Sequence, residues 1–183
     1  MTSGRRMRRL HIGGKERRDQ WEIIDALPGE HVDHVGNAAD LSRFSDGTFE
    51  AVYASHVAEH FGYHSELPCV LREWFRVLRP EGCLYVSVPD LDVLAELFLL
   101  RESISASDRF QVMRMIFGGQ TNDYDYHRVG LNEEFLRQFL SEAGFVDIQR
   151  TESFDFFQDT SSMRFHGIPI SCNVRARRPG RQI

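Results

Sequence analysis

Two apolar runs and the helical pattern between them constrain the fold of this chain more than any other feature. The runs at 49–54 and 83–88 are rich in β-branched and aromatic residues and do not alternate cleanly with polar ones, as is typical of strands buried on both faces of a parallel sheet. Between them, apolar residues recur at the spacing of one buried helix face: Leu67, Val70, Leu71, Trp74, Phe75 and Leu78. Residues 79–82, which include a proline and a glycine, end the helix. A strand–helix–strand unit of this kind is a right-handed crossover, so the sequence predicts an α/β fold with its chemistry at the carboxyl ends of the strands.

Shorter apolar segments and capped helical patterns extend this unit along the chain in both directions. Further strands are predicted at 8–12, 21–25, 32–35, 145–153 and 170–177. Helices are predicted at 91–100, 109–117 and 133–143, with Asp90 and Asn132 as N-caps of the first and the last. Gly13 and Asp25 are only about a dozen residues apart, against about 20 in the dinucleotide-binding fingerprint. The first crossover is therefore predicted to be shortened, without room for a long helix.

The composition fits one globular domain and excludes several classes of partner. The chain has 183 residues, of which 42% are hydrophobic and 27% charged. Its net charge of −5 argues against a nucleic-acid surface, because phosphate neutralisation needs a basic footprint. No apolar run approaches the roughly 18 residues of a membrane span, and the basic N-terminus lacks an apolar signal core. The three cysteines form no C-x-x-C pattern, which indicates free thiols and a reducing, cytoplasmic location.

Three consecutive motifs carry a resemblance to a known family. The stretch Ser-His-Val-Ala-Glu-His at 55–60 follows the fourth strand, Arg-Val-Leu-Arg-Pro-Glu-Gly at 76–82 ends the helix, and Pro89-Asp90 ends the fifth strand. Together they resemble the class I S-adenosylmethionine-dependent methyltransferases, and more narrowly their small type 11 group. The resemblance implies a Rossmann-like, mostly parallel twisted sheet flanked by helices, with an antiparallel last strand. It implies one such domain at 8–179, between a disordered basic tail at 1–7 and a short tail at 180–183.

The resemblance also implies an activity and a cofactor. The expected reaction is methyl transfer from S-adenosyl-L-methionine to a small-molecule or glycan acceptor, with O-methylation expected first. The sulfonium is already a strong leaving group, so positioning is expected to supply most of the rate. For a hydroxyl acceptor, a neutral histidine can remove the proton near the operating pH.

The carboxyl ends of the first two strands supply the first candidate cofactor residues. His11, Gly13 and Gly14 follow the first strand, and glycine there lets the backbone approach a ligand closely; in the family this region holds the methionine portion. Lys15 comes next, which departs from the usual G-x-G-x-G pattern. Asp25 ends the second strand and is a candidate acceptor for the two ribose hydroxyls.

The third and fourth strands supply the remaining candidates. The resemblance places Asn37 where the family commonly has an aspartate that accepts from the adenine amino group, with the backbone of Ala38 beside it. Asp40 is the competing candidate for this role, and both side chains can equally cap a turn. Ser55 and His56 end the fourth strand and are predicted to line the crevice, with His56 as a second candidate general base.

The segment 118–130 is predicted to form the acceptor side of the site. It is rich in groups that can hydrogen-bond a polar ligand, and its glycines permit movement; its Gly-Gly-Gln and Asp-Tyr-His-Arg-Val-Gly wording also resembles the family. His127 is the first candidate general base. Tyr124, Tyr126, His127 and Arg128 are the candidate substrate contacts. The alternative is a surface loop whose tyrosines pack on the core.

The sequence leaves two alternative functions open. Residues 56–60 spell H-x-x-E-H, the inverted zinc-hydrolase motif, but Gly62 interrupts the helix that the motif needs, so no metal is expected. In the family, Glu59 and His60 instead stabilise the strand–helix junction. The shortened first crossover and Asn37 favour a second alternative, a non-catalytic cofactor-binding or partner protein. The shortened first crossover also leaves the cofactor site open on one side. A partner chain would close that side, which makes a homodimer the expected assembly.

Overall fold

A seven-stranded sheet forms the centre of the computed structural model, which describes residues 7–180. The predicted tails at 1–7 and 180–183 lie almost wholly outside the described residues. The strands are β1 (Arg9–Ile12), β2 (Trp21–Asp25), β3 (His34–Val35), β4 (Phe49–Ser55), β5 (Leu78–Pro89), β6 (Val146–Thr151), β7 (Arg164–Phe165), β8 (Ile168–Pro169) and β9 (Ser171–Arg177). β7 and β8 form a separate two-stranded hairpin, and the others are ordered β3-β2-β1-β4-β5-β9-β6.

The strand directions confirm the predicted fold class. The pairs β1–β2, β2–β3, β1–β4 and β4–β5 are parallel. β9 lies antiparallel between β5 and β6. The carboxyl ends of β1, β2 and β4 therefore open at the same edge of the sheet, where a parallel α/β fold binds its ligands.

Within the described residues, four α-helices accompany the sheet: α1 (Glu66–Val77), α2 (Leu91–Leu99), α3 (Ala106–Phe117) and α4 (Glu133–Glu142). α1 buries four residues of the predicted face, Leu67, Val70, Leu71 and Trp74, whereas Phe75 is half-buried and Leu78 begins β5; each fully buried large apolar side chain contributes about 1.5–3 kcal/mol. The predicted N-caps are confirmed, because Asp90 accepts from the Asp92 N–H and Asn132 from the Phe135 N–H. No helix among residues 7–180 is both long and apolar enough to span a bilayer.

α3 begins three residues earlier than predicted. Ser105 and Asp108 form a reciprocal capping box, in which the Ser105 hydroxyl accepts from the Asp108 N–H and the Asp108 carboxylate accepts from the Ser105 N–H. The box satisfies backbone donors that a helix start leaves open. Residues that look like a polar loop therefore start a helix.

The connection from β1 to β2 contains no helix, as its length predicts. An aromatic cluster covers this part of the sheet instead, formed by Trp21, Tyr53, Phe154 and Phe157. The Tyr53 hydroxyl donates to the Asp159 carboxylate at 2.7 Å, which ties the aromatic segment to the sheet. The shortened crossover is thus compensated by residues from the end of the chain.

Candidate functional site

A cavity of about 590 Å³ opens at the carboxyl ends of β1, β2 and β4. One wall comes from the ends of these strands, and the facing wall comes from residues 122–128. Nine of the residues predicted from sequence line it: Gly13, Asp25, Asn37, Ala38, Ser55, His56, Tyr124, Tyr126 and Arg128. The structure thus brings the candidate cofactor residues and the candidate acceptor residues to one cavity.

Gly13 lies where the backbone must turn and come close to its neighbours. Its φ is +72°, a region that costs other residues about 1–2 kcal/mol. A Cβ at this position would lie 2.9 Å from Val57 Cγ2. The Gly13 N–H donates to the Ile24 carbonyl at 2.8 Å, so β1 and β2 stay paired up to the cavity rim.

Asp25 is the best-placed acid for a ribose, but it already has two partners. One carboxylate oxygen accepts from the Leu27 N–H at 2.8 Å, and the other lies 2.5 Å from Lys15 Nζ. The Asp25 side chain is buried, whereas Lys15 is 70% exposed. Lys15 therefore lies over the carboxylate from the solvent side, because the shortened crossover returns directly past the end of β2.

Asn37 and Asp40 both close turns in the segment after β3. The Asn37 side-chain oxygen accepts from the Ala39 N–H at 2.9 Å, and the Asp40 carboxylate accepts from the Ser42 N–H at 3.0 Å. Only Asn37 lines the cavity. The Trp74 indole N–H donates to the Ala38 carbonyl at 2.9 Å, so the buried helix α1 fixes this turn.

His11 and Gly14 do not line the cavity. The His11 ring is buried in the aromatic cluster, 4.1 Å from the Phe157 ring centroid and 4.9 Å from that of Tyr53. Burial lowers the His11 pKa from 6.5 to about 4. A Cβ on Gly14 would lie 2.6 Å from the His11 ring. Gly14 thus makes room for His11, and both act in packing.

His56 stands at the end of β4 in the left-handed region, with φ of +54°. The Ser171 hydroxyl donates to the Thr160 carbonyl, so at 2.9 Å it accepts from His56 Nε2–H. This leaves Nδ1 as an acceptor, 3.5 Å from Glu59 Oε1. Burial lowers the His56 pKa to about 3, so the ring is neutral and both nitrogens face protein groups.

Glu59 is the least expected residue of the site. Its side chain is 1% exposed, and its carboxylate oxygens have no hydrogen-bond partner among the described residues. Burial raises its pKa from 4.5 to about 8. The Glu59 backbone carbonyl accepts from the Arg128 N–H at 2.8 Å, which attaches the acceptor segment to the end of β4.

His127 and His60 complete what we call the His–Glu cluster, defined as His56, Glu59, His60 and His127. His127 Nε2 lies 3.8 Å from Glu59 Oε1, and its ring centroid is 4.9 Å from that of His60. Burial and the nearby His60 lower the His127 pKa to about 4. His127 does not line the cavity, whereas His60 does, and His60 Nδ1 lies 3.1 Å from the Tyr126 carbonyl. The sequence predicted only that Glu59 and His60 stabilise the strand–helix junction. The H-x-x-E-H spacing was the one pattern in the sequence that pointed to a cluster of these residues.

The helix that an inverted zinc-hydrolase motif needs is not formed. Residues 58–60 make a single 3-10 turn, and His56 precedes it with a left-handed backbone. His56 and His60 therefore do not share a helix face. Glu59 and His60 meet His127 instead, 67 residues further along the chain from His60.

Comparisons with known proteins agree with the fold and with the motifs. Residues 19–86 match the family described as "Methyltransferase domain", of type 11. No curated protein sequence matches the chain.

Solved structures share the fold over nearly the whole chain. They include an exported-protein candidate from Bordetella parapertussis (15% identity, TM-score 0.59, covering 96% of this chain and 64% of that one). A methyltransferase from Thermotoga maritima described as S-adenosylmethionine-dependent and as a possible histamine N-methyltransferase matches with 15% identity and TM-score 0.53, covering 93% and 82%. Phosphoethanolamine N-methyltransferase 2 from Haemonchus contortus, solved with S-adenosyl-L-methionine, matches with 14% identity and TM-score 0.57, covering 94% and 49%. The chain thus spans about half to two thirds of the length of the first and third of these.

Proposed function

We propose that the protein transfers a methyl group from S-adenosyl-L-methionine to a polar acceptor, because residues 19–86 match a methyltransferase domain family and the chain shares its fold with solved methyltransferases. The proposed acceptor is a hydroxyl of a small molecule or a glycan. One observation carries the proposal: one cavity, at the edge where parallel strands end, is lined by six of the nine candidate cofactor residues and by most of the polar segment 122–128.

The cofactor half of the proposal rests on the strand ends. The methionine portion passes Gly13, where the absence of a Cβ leaves the backbone accessible. Asp25 accepts from the ribose hydroxyls, which requires Lys15 to swing out or to share the carboxylate. Asn37 and the backbone of Ala38 face the adenine, on a turn that Trp74 holds.

The acceptor half rests on the segment that faces these strands. Tyr124 and Tyr126 are about half exposed and line the cavity together with Arg128. Phenol and guanidinium groups bind hydroxyl and carboxylate oxygens, so they suit a polar acceptor. An apolar acceptor would leave them without partners.

Positioning accounts for most of the proposed rate, since the sulfonium already carries the leaving group. A hydroxyl acceptor must also lose its proton, and the His–Glu cluster lies beside the cavity to take it. His60 is the member on the cavity wall whose Nδ1 faces a carbonyl, which leaves Nε2 as the acceptor. His127 and His56 were predicted as bases from sequence. His127 lies behind His60, and His56 lines the cavity but has both ring nitrogens directed at protein groups.

The pairing of Lys15 with Asp25 favours one alternative, a protein that does not bind the cofactor and acts as a partner. Titration with S-adenosylmethionine by calorimetry separates the two. Binding at micromolar to sub-millimolar concentration supports the proposed function, and no heat at millimolar concentration supports the alternative.

Turnover is tested with radiolabelled S-adenosylmethionine and a panel of polyol, glycan and amine acceptors. We expect labelled product from a hydroxyl acceptor and its loss in His60→Ala. His64→Ala is the matched control, because His64 is exposed and does not line the cavity. Full turnover in a triple variant lacking His56, His60 and His127 would contradict a role for the cluster in proton removal.

A further inference from the structure

The His–Glu cluster holds three side chains in an arrangement that proton transfer alone does not explain. Glu59, His60 and His127 each place one potential ligand atom within 4.8 Å of the other two. We infer that these three residues form a binding site for a first-row divalent transition-metal ion, with Zn²⁺ as the expected ion. The sequence alone predicts no metal here, because Gly62 interrupts the helix that the H-x-x-E-H motif needs.

The buried Glu59 carboxylate is the independent observation that points to a ligand. It is 99% enclosed, yet neither of its oxygens has a hydrogen-bond partner among residues 7–180. His56 Nδ1 and His127 Nε2 approach it only to 3.5 and 3.8 Å, beyond normal hydrogen-bond length. Buried polar groups are almost always satisfied, and a cation between Glu59, His60 and His127 would give the Glu59 carboxylate a partner.

Neighbouring groups hold two of the proposed ligands as metal sites usually do. His60 Nδ1 lies 3.1 Å from the Tyr126 carbonyl, which directs Nε2 toward the ion. The backbone carbonyl of Glu59 is held by the Arg128 N–H. Ligating histidines characteristically donate their other ring N–H to a carbonyl or carboxylate, which fixes the tautomer and orientation.

The ligand types and distances select the class of ion. Two imidazoles and one carboxylate suit Zn²⁺ and similar first-row ions, whereas Mg²⁺ and Ca²⁺ prefer oxygen ligands. Two ligand atoms of a tetrahedral Zn²⁺ lie about 3.3–3.6 Å apart, since each bond is about 2.0–2.2 Å. The 3.8 Å between Glu59 Oε1 and His127 Nε2 needs to close by a few tenths of an ångström, and the widest pair, at most 4.8 Å, by about 1.3 Å at most, which rotation of the His60 and His127 side chains supplies.

This ligand set differs from the one that the H-x-x-E-H spacing suggests. His56 Nδ1 lies 3.5 Å from Glu59 Oε1 but is not one of the atoms that all lie within 4.8 Å of one another, so His56 contacts Glu59 from outside the site. The inferred site takes His127 from the acceptor segment instead. With three protein ligands, a fourth position is left for water or an acceptor oxygen, as in catalytic zinc sites.

The ion's role in methyl transfer rests on the proposed function, whereas its binding does not. His60 lines the cavity, so a bound ion adjoins the acceptor. It would activate an acceptor hydroxyl by coordination, with the released proton passing to water, and His60 would then act as a ligand and not as the base. Metal binding without methyl transfer would overturn the proposed function only, and methyl transfer without metal binding would overturn this inference only.

The test is calorimetric titration of the full chain with Zn²⁺ after treatment with a chelator, with Co²⁺ absorption as a second readout. We expect one ion per chain and the intense visible bands of a tetrahedral Co²⁺ site. Glu59→Gln, His60→Ala and His127→Ala should each weaken binding at least about 100-fold, more than loss of an outer-shell partner. His56→Ala should keep the one-to-one stoichiometry, and His64→Ala should bind like the wild type.

Thermal melting of each variant checks that it is folded, and Glu59→Gln preserves the shape of the buried side chain. No binding by the wild type at about 1 mM Zn²⁺ would overturn the inference. Binding that survives in all three ligand variants would also overturn it, since the ion would then lie elsewhere. Binding lost in His56→Ala but kept in His127→Ala would assign the ion to the H-x-x-E-H set.

Discussion

The Lys15 ammonium lies 2.5 Å from the carboxylate of Asp25, at the end of β2 where the ribose of the cofactor is expected. The pair exists because β1 and β2 are joined by a short connection without a helix, so Lys15 passes directly over the rim. Asp25 is buried and Lys15 is largely exposed. In the proposed function, the ribose of the cofactor therefore displaces Lys15 from this carboxylate or shares the carboxylate with it.

Substitution of this pair should change cofactor affinity in opposite directions. Asp25→Asn should weaken binding of S-adenosylmethionine about 10- to 100-fold, because hydrogen bonds to a charged group contribute about 1.5–3 kcal/mol. Lys15→Met should tighten binding by up to about 5-fold, since an exposed ion pair contributes at most about 1 kcal/mol. Calorimetry measures both constants.

The control for Lys15→Met is Arg17→Met. Arg17 is an exposed base of the same connection that pairs with Asp33 at 3.3 Å and does not line the cavity. It should leave cofactor affinity unchanged. Weaker binding in Lys15→Met would instead make Lys15 a direct cofactor contact.

Gly13→Ala should lower both the stability of the fold, through backbone strain, and the affinity for the cofactor, which is proposed to pass close to the Gly13 backbone. The substitution strains a φ of +72° and places a methyl group 2.9 Å from Val57 Cγ2. We expect a loss of about 1–2 kcal/mol in the free energy of unfolding from the strained φ and a further loss of cofactor affinity. Denaturant unfolding and calorimetry measure the two effects.

Gly167→Ala is the matched control for Gly13→Ala. Gly167 has a φ of +81° and nothing within 4 Å of an added Cβ. Its replacement should cost a similar backbone strain and leave cofactor affinity intact. If Gly13→Ala and Gly167→Ala both bind S-adenosylmethionine with wild-type affinity, the cofactor does not approach Gly13.

Acid should destabilise the fold through His11. Burial lowers the His11 pKa from 6.5 to about 4, so below pH 6.5 the unfolded chain binds a proton that the folded chain refuses. The contribution of neutral His11 to the free energy of unfolding is complete above pH 6.5 and is lost as the pH drops toward 4. The loss is about 3 kcal/mol, from the size of the pKa shift.

His11→Phe isolates this effect, because a phenyl ring keeps the aromatic packing without titrating. The variant should lose less stability than the wild type between pH 6.5 and 4 in urea unfolding. Parallel pH profiles of the two proteins would show that His11 is not the titrating group.

The buried Asp90 side chain combines a helix cap with an ion pair to the partly exposed Arg150. Its carboxylate accepts from the Asp92 N–H and pairs with Arg150 at 2.7 Å, with 2% exposure. Asp90→Ala removes both and should cost about 1–3 kcal/mol in the free energy of unfolding. Asp90→Asn keeps a capping oxygen and should cost less; an equal cost would assign the whole effect to the ion pair.

The strands and capped helices were predictable because their signals are local. Runs of buried apolar residues located β2 to the residue and β4 within one residue. Asp90 and Asn132 marked helix starts because a cap acts on the next few backbone N–H groups. The N-cap Ser105 was not predicted, because Ser105 and its partner Asp108 lie in a polar segment that was interpreted as a loop.

The site was less predictable because its contacts are distant along the chain. No local pattern relates Glu59 to His127, and the pairing of Lys15 with Asp25 depends on how a short connection folds back. His11 was predicted at the cofactor from its position at a strand end. Its neighbours Leu10 and Ile12 are apolar and lie in the main core, so strand alternation already placed His11 on the opposite face.

A crystal of the protein soaked with S-adenosylhomocysteine tests the central claim most directly. We predict adenosine in the cavity between Asp25 and Asn37, with Lys15 displaced or sharing the ribose and the sulfur directed toward the wall formed by His60 and Tyr126. An empty cavity with the Lys15–Asp25 pair intact at saturating ligand, or adenosine bound elsewhere, would contradict the account.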